Sequence, residues 1–168
     1  MKTLKLVALT ALFMLGLNTT NAVAQNADAK LVHTQIVEKS ADDVWKIVRN
    51  LDFSKYSSTI GNVKVTGNHE AGASRVCATP DGKGQFKENI LAYDNVNRTY
   101  TYAVVEGVPV KGLINNFKVV DLGFNKSMIV WWSNYEAFMK NPQMTEEQFT
   151  AFMQSSIQEI TTNMANDA

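Results

Sequence analysis

Arg75 and Glu88 are the residues of this chain whose types and setting best support chemistry. Each lies in a run with a period of two, so each run reads as a strand whose alternate residues share a face. A carboxylate on an otherwise apolar face is costly to bury unless it is paired or kept neutral. An arginine on the neighbouring strand, diagonally across that face, supplies a partner. Three roles are open to the pair. It can anchor a bound molecule by a hydroxyl, carboxyl or amine group. It can be a largely solvated structural ion pair at a cavity mouth. Or Glu88 can be a general acid or base with its pKa raised by burial, while Arg75 or Tyr102 stabilises an enolate-like oxygen.

The other reactive side chains offer less. Cys77 is the one cysteine, which rules out an intramolecular disulfide, and a lone thiol of this kind is expected to be buried and inert. His33 and His69 are far apart in sequence and no Cys/His cluster accompanies them, so neither a metal nor a cofactor is expected. No nucleophile–base constellation is visible. The 16 basic and 16 acidic residues balance without a basic cluster, so nucleic acid is not an expected partner.

The elements that must position these groups are legible as alternating patterns. Residues 31–38 read as a β-branched strand. Ser40-Ala41-Asp42-Asp43 then forms a capping box with Asp in place of Glu, and Val44, Ile47, Val48 and Leu51 mark one helical face. Residues 52–56 read as a second short helical turn. Strand-like runs follow at 60–66, 73–79, 85–93, 99–106, 113–121 and 127–138, separated by short turns that make neighbours antiparallel. Thr145-Glu146-Glu147-Gln148 caps a last helix, on which Phe149, Phe152, Met153, Ile157, Ile160 and Met164 form one apolar stripe.

Hairpin register gives the sheet an inside. A tight turn at residues 81–84 sets Cys77 opposite Glu88 and Arg75 opposite Ile90. A second turn at residues 95–97 sets Ile90 opposite Tyr102 and Glu88 opposite Val104. Opposed residues share a face, so Arg75, Cys77, Phe86, Glu88, Ile90, Tyr100, Tyr102 and Val104 form one set. Lys87, Asn89, Thr99 and Thr101 fall on the other, watery side. Asn115, Phe117 and Val119 also point inward. For the last strand the inward set is either Ile129, Trp131, Ser133 and Tyr135 or Val130, Trp132, Asn134 and Glu136; the first brings one fewer charge inside. The sheet residues expected to meet a ligand are Arg75, Phe86, Glu88, Ile90, Tyr100, Tyr102, Phe117, Trp131 and Tyr135. Phe149, Phe152, Met153 and Ile157 face them from the helix.

The N-terminus is a separate matter. Lys2 and Lys5 precede an apolar run from Leu6 to Leu17, and Ala22-Val23-Ala24 fits a signal-peptidase site. Residues 1–24 are therefore expected to be a cleaved signal peptide, 25–30 a flexible start, and 31–166 one domain, periplasmic or secreted. The run is shorter than the roughly 20 residues that span a bilayer, and no later segment qualifies.

Several phrases together resemble the START and birch-pollen-allergen (SRPBCC) superfamily, most closely its polyketide-cyclase/dehydrase-like branch. They are Ser40-Ala41-Asp42-Asp43-Val44-Trp45, the Gly72…Arg75 pair, Gly84 to Glu88, Arg98-Thr99-Tyr100-Thr101-Tyr102 and Trp131-Trp132-Ser133. The resemblance spans about Leu31 to Met164. It implies an α+β helix-grip fold. A seven-stranded antiparallel curved sheet would wrap a long C-terminal helix, with two short helices between the first two strands and a ligand tunnel beneath. It further implies a binder of a small hydrophobic molecule, a lipid or an aromatic, polyketide-like compound; the expected signal peptide makes this binder an exported one, unlike many relatives. A minority of the superfamily catalyse cyclisation or dehydration, and a glutamate often stands where Glu88 does. A third possibility is an envelope interaction module that uses an outer face, an exposed Trp132 or the loop at Lys140-Asn141-Pro142.

Overall fold

The computed structural model describes residues 29–168. The expected signal peptide and residues 25–28 lie outside the described residues; Lys30 is held, its backbone N–H donating to Asn134 Oδ1 at 2.9 Å.

The seven alternating runs form the seven strands of the main sheet, and two unpredicted two-residue strands accompany them. In chain order these are β1 (Leu31–Val37), β2 (Asn62–Thr66), β3 (Ser74–Ala78), β4 (Gln85–Asp94), β5 (Thr99–Glu106), β6 (Val110–Lys111), β7 (Leu113–Gly123), β8 (Lys126–Asn134) and β9 (Ala137–Phe138). Seven of them make one antiparallel sheet in the order β1-β8-β7-β5-β4-β3-β2, while β6 and β9 pair separately. Helix α1 (Ala41–Val48) and a 3-10 turn (Ser54–Tyr56) connect β1 to β2, and helix α2 (Glu146–Asp167) ends the chain. This is the helix-grip α+β fold.

Both helices start where their caps are. Ser40 Oγ accepts from the Asp43 N–H at 3.2 Å and donates to Asp43 Oδ2 at 2.7 Å. Thr145 and Gln148 form a reciprocal capping box, each side chain accepting from the other's backbone N–H. Helix α2 packs along β1, α1 and the 3-10 turn. Its C-terminal half is tied down by polar contacts: Tyr56 Oη donates to Asp167 Oδ2 at 2.6 Å, and Asn163 Nδ2 to the Tyr56 carbonyl at 3.0 Å.

Three details of register depart from expectation. Arg75 pairs with Glu88 and Cys77 with Phe86, two residues away from the pairing a tight turn predicts. The turn is wider because Pro80 has no N–H to extend the ladder. Asp81 Oδ1 also collects the Thr79 hydroxyl at 2.6 Å and the Lys83 N–H at 3.1 Å. A shift of two preserves parity, so the inner face keeps its members. Farther along, Ile90 opposes Tyr102 and Glu88 opposes Val104 as expected, but a bulge at Leu91 then sets Tyr93 opposite Tyr100. The last long strand stops at Asn134 instead of running to residue 138. There the Glu136 N–H turns to the Lys111 carbonyl (2.8 Å) and the Met139 N–H to the Pro109 carbonyl (2.8 Å), which creates the small β6–β9 pair.

The core lies between the concave face and the two helices. Trp45, Tyr100, Phe117, Ile129 and Trp131 are buried there with Val44, Val48 and Met164. Trp132 turns to the convex face and is half-buried. Among the described residues, no helix is long and apolar enough to cross a membrane.

Candidate ligand cavity

Because α2 hugs β1, the concave face of β4 and β5 is not filled to the same depth. The result is a cavity of about 590 Å3, walled by Phe86, Glu88, Tyr102, Val104, Leu113, Asn115 and Trp131 from the sheet. Phe149, Phe152, Met153, Ile157 and Ile160 close it from α2, and Phe53, Ile60 and Met144 from connecting segments. That volume falls within the roughly 300–1,000 Å3 of small-molecule sites. The rim is formed by the β3–β4 turn (Pro80, Asp81) and the β5–β6 turn (Gly107, Val108, Pro109). Gly107 is required there. Its φ is +91°, and a Cβ would collide with the Gln85 carbonyl oxygen and sit 2.7 Å from Phe86 Cα.

Arg75 and Glu88 are 1 % and 3 % exposed, so the pair is not at a solvated mouth. Arg75 Nε donates to Glu88 Oε2, and Nη1 donates to the Leu51 carbonyl at 3.0 Å. The guanidinium is sandwiched between two rings, 4.4 Å from the Phe53 centroid and 4.5 Å from that of Tyr102. Cys77 Sγ lies 3.9 Å from Glu88 Oε2. Glu88 is on the cavity wall; Arg75 is behind it.

Burial sets the proton affinities. It lifts the Glu88 carboxyl above its ordinary range, and Arg75 draws it back without offsetting the rise. Burial opposes the charge on Arg75, but Glu88 beside it more than compensates, so the guanidinium remains a cation. Burial also raises Tyr102 well above the usual phenol value, with Glu88 adding to the rise. Cys77 is pushed up to about 12, first by burial and then by Glu88.

Among the described residues, the wall carries Glu88 and Asp81 as carboxylates and no His, Lys or Cys. Such a wall can hold an apolar molecule and offer it the Glu88 carboxyl, while Asp81 at the rim already accepts the Thr79 hydroxyl at 2.6 Å. Among the described residues there is also no group of three or more His, Cys, Asp or Glu placed to hold a metal.

Of the side chains expected to meet a ligand, Phe86, Glu88, Tyr102, Trp131, Phe149, Phe152, Met153 and Ile157 are on the wall. Arg75, Ile90, Tyr100, Phe117 and Tyr135 are not, and each is buried. Tyr100 and Phe117 stack on each other, 5.3 Å between centroids, under α1 instead of under the hollow. Tyr135 lies past the end of β8, edge-on to Phe149, with its hydroxyl donating to Glu146 at 2.7 Å. Sequence reasoning missed Phe53, Val108 and Met144, which come from non-periodic segments, and Ile60, which stands just before β2 and not within it. Asn115 and Val104 were placed on the inner face but not at the site.

A family model described as "Polyketide cyclase / dehydrase and lipid transport" matches residues 28–166. The chain belongs to this family. The fold of this family member is shared by solved structures of low sequence identity. The protein XoxI from Bacillus cereus superposes with a TM-score of 0.70 at 16% identity, covering 82% of this chain and 93% of its own. A Nitrosospira multiformis protein gives 0.65 at 20% identity, covering 82% and 94%. Norcoclaurine synthase from Thalictrum flavum, in complex with dopamine and hydroxybenzaldehyde, gives 0.64 at 17% identity, covering 81% and 83%. No curated protein sequence matches this family member significantly.

Proposed function

We propose that this protein binds one small, mainly apolar molecule in the cavity between sheet and α2, and carries it without altering it. One observation carries the reading. The cavity is lined by aromatic and aliphatic side chains, and its buried carboxylate, Glu88, is already engaged by Arg75. The family description, which includes lipid transport, agrees with such a role. So does the Thalictrum flavum protein of the same fold, seen with two small aromatic molecules. Native mass spectrometry of the purified protein, followed by organic extraction, should release a co-purifying neutral lipid or aromatic compound. Failure to take up any member of a broad lipid and aromatic panel would sink the proposal.

The same reading places residues 31–166 as one domain behind a cleaved leader, working outside the cytoplasm. The support is the basic, then apolar, then small-residue order of residues 1–24. N-terminal sequencing of protein recovered from a periplasmic fraction should begin at Gln25. Protein that keeps Met1 and stays in the cytosol counts against export.

A second reading is catalytic, and one observation favours it. Glu88 faces the cavity, and burial lifts its carboxyl above the ordinary range, as a general acid or base requires. Compounds recovered by extraction should then be converted by the wild type and not by Glu88→Gln. Unchanged compounds in both cases leave the carrier. A docking role would use an outer helix face or the loop at Lys140-Asn141-Pro142, and the half-buried Trp132 adds no support to it.

A further inference from the structure

The polar side chains on the cavity wall are sorted by depth. Thr59, Thr79 and Ser156 are partly exposed and Asp81 is exposed; with the exposed Pro80 and Phe152 they mark the mouth. Glu88, Tyr102, Asn115 and Trp131 are buried and mark the floor. The polar atoms of the floor are out of a ligand's reach or already committed. Asn115 Oδ1 and Trp131 Nε1 have essentially no accessible surface, and the Tyr102 hydroxyl stands beside Trp131. Glu88 is bound to Arg75, which lies behind the wall.

A polar head pushed down to this floor loses its water and gains no partner in exchange, which is the expensive way to bury a donor or acceptor. The mouth differs. Thr59, Ser156 and Asp81 keep contact with water there, so a head left among them stays hydrated. We propose, resting on the binding role above, that the ligand is a single-headed amphiphile held tail-in. Its apolar chain or ring fills the floor, and its one polar head stays at the mouth among Thr59, Asp81 and Ser156.

This orientation selects by where the polar groups lie. The size of the head is not restricted, because the head is outside the cavity. A second polar group at the far end of the molecule is rejected, because it reaches the floor. The charge of the head is read by Asp81. Its Oδ1 accepts the Thr79 hydroxyl and the Lys83 N–H, while Oδ2 has Lys83 Nζ at 3.7 Å, an open and solvated pairing.

The test displaces the neutral dye N-phenylnaphthylamine from the full-length protein with dodecanol, dodecyl maltoside and 1,12-dodecanediol, each below the concentration at which it aggregates. Dodecyl maltoside should bind within about threefold of dodecanol, because its sugars remain in water. The diol should bind at least about tenfold more weakly than dodecanol, because its second hydroxyl is buried without a partner. Exclusion of the maltoside, or a diol as tight as dodecanol, overturns the tail-in orientation and leaves the binding role standing. A second measurement locates the head. In Asp81→Asn, whose amide oxygen still serves Thr79 and Lys83, the preference for dodecylammonium over dodecanoate should fall at least about threefold at low salt. An unchanged preference puts the head away from the mouth and overturns the orientation. No uptake of dye or of any probe overturns the binding role, and the orientation with it.

Discussion

Arg75 and Glu88 are directly opposed across β3 and β4, and their side chains join in an ion pair of which Glu88 alone reaches the cavity wall. The arginine is held by Glu88, the Leu51 carbonyl and two aromatic rings, with Nη2 buried and without a hydrogen-bond partner among the described residues. Its first role is therefore to neutralise and position the carboxylate. This relationship makes the pair a unit that should be tested as one.

Removing one partner strands a charge. Arg75→Met should cost about 3–5 kcal/mol in urea denaturation, and the double variant Arg75→Met/Glu88→Leu should recover much of that loss. If the double variant is as unstable as the sum of its single changes, the two residues do not act together.

The pH dependence has a definite sign. The folded state holds the Glu88 proton more tightly than the unfolded chain, whose carboxyl has the ordinary value of 4.5. Stability from this group is present below that value and is lost as pH rises through the raised folded value. Subtracting the denaturation profile of Glu88→Gln from that of the wild type should show the difference falling as pH climbs above 4.5. A difference that grows with pH contradicts the assignment.

Core and wall should separate by mutation. Phe117 is 3 % exposed and stacked on Tyr100, so Phe117→Ala should cost about 3–5 kcal/mol. Phe152 lines the cavity yet is 47 % exposed, and Phe152→Ala should cost about 1 kcal/mol or less while weakening ligand uptake. Thermal melts and dye titration of the two variants supply the comparison, and equal stability losses would refute it.

Cys77 should be chemically silent in the folded protein. It is fully buried, and burial pushes its thiol up to about 12, so almost no thiolate exists near neutral pH. Iodoacetamide labelling followed by mass spectrometry should show modification only as fast as the chain unfolds. Rapid labelling under native conditions would show an accessible thiol.

Local pattern alone determined the seven strands of the main sheet, both helix caps and the parity of the inner face. Period-two alternation puts Arg75, Glu88, Tyr102 and Asn115 on one side whatever the loop length does in steps of two, which is why a wider turn at Pro80 moved the pairing without moving the face. Thr145 and Gln148 mark the start of α2 because capping is satisfied within four residues. The tertiary structure decided what those residues do. Whether Phe117 is core or wall depends on where α1 and α2 lie across the sheet, and that is set by contacts from β1 and from the 3-10 turn, distant in sequence. Phe53, Val108 and Met144 reach the cavity from segments with no period to read. The break after Asn134 depends on carbonyls of Pro109 and Lys111 that only the folded chain brings near. Periodicity records which way a side chain points from its own backbone; what it meets there is a property of the packing.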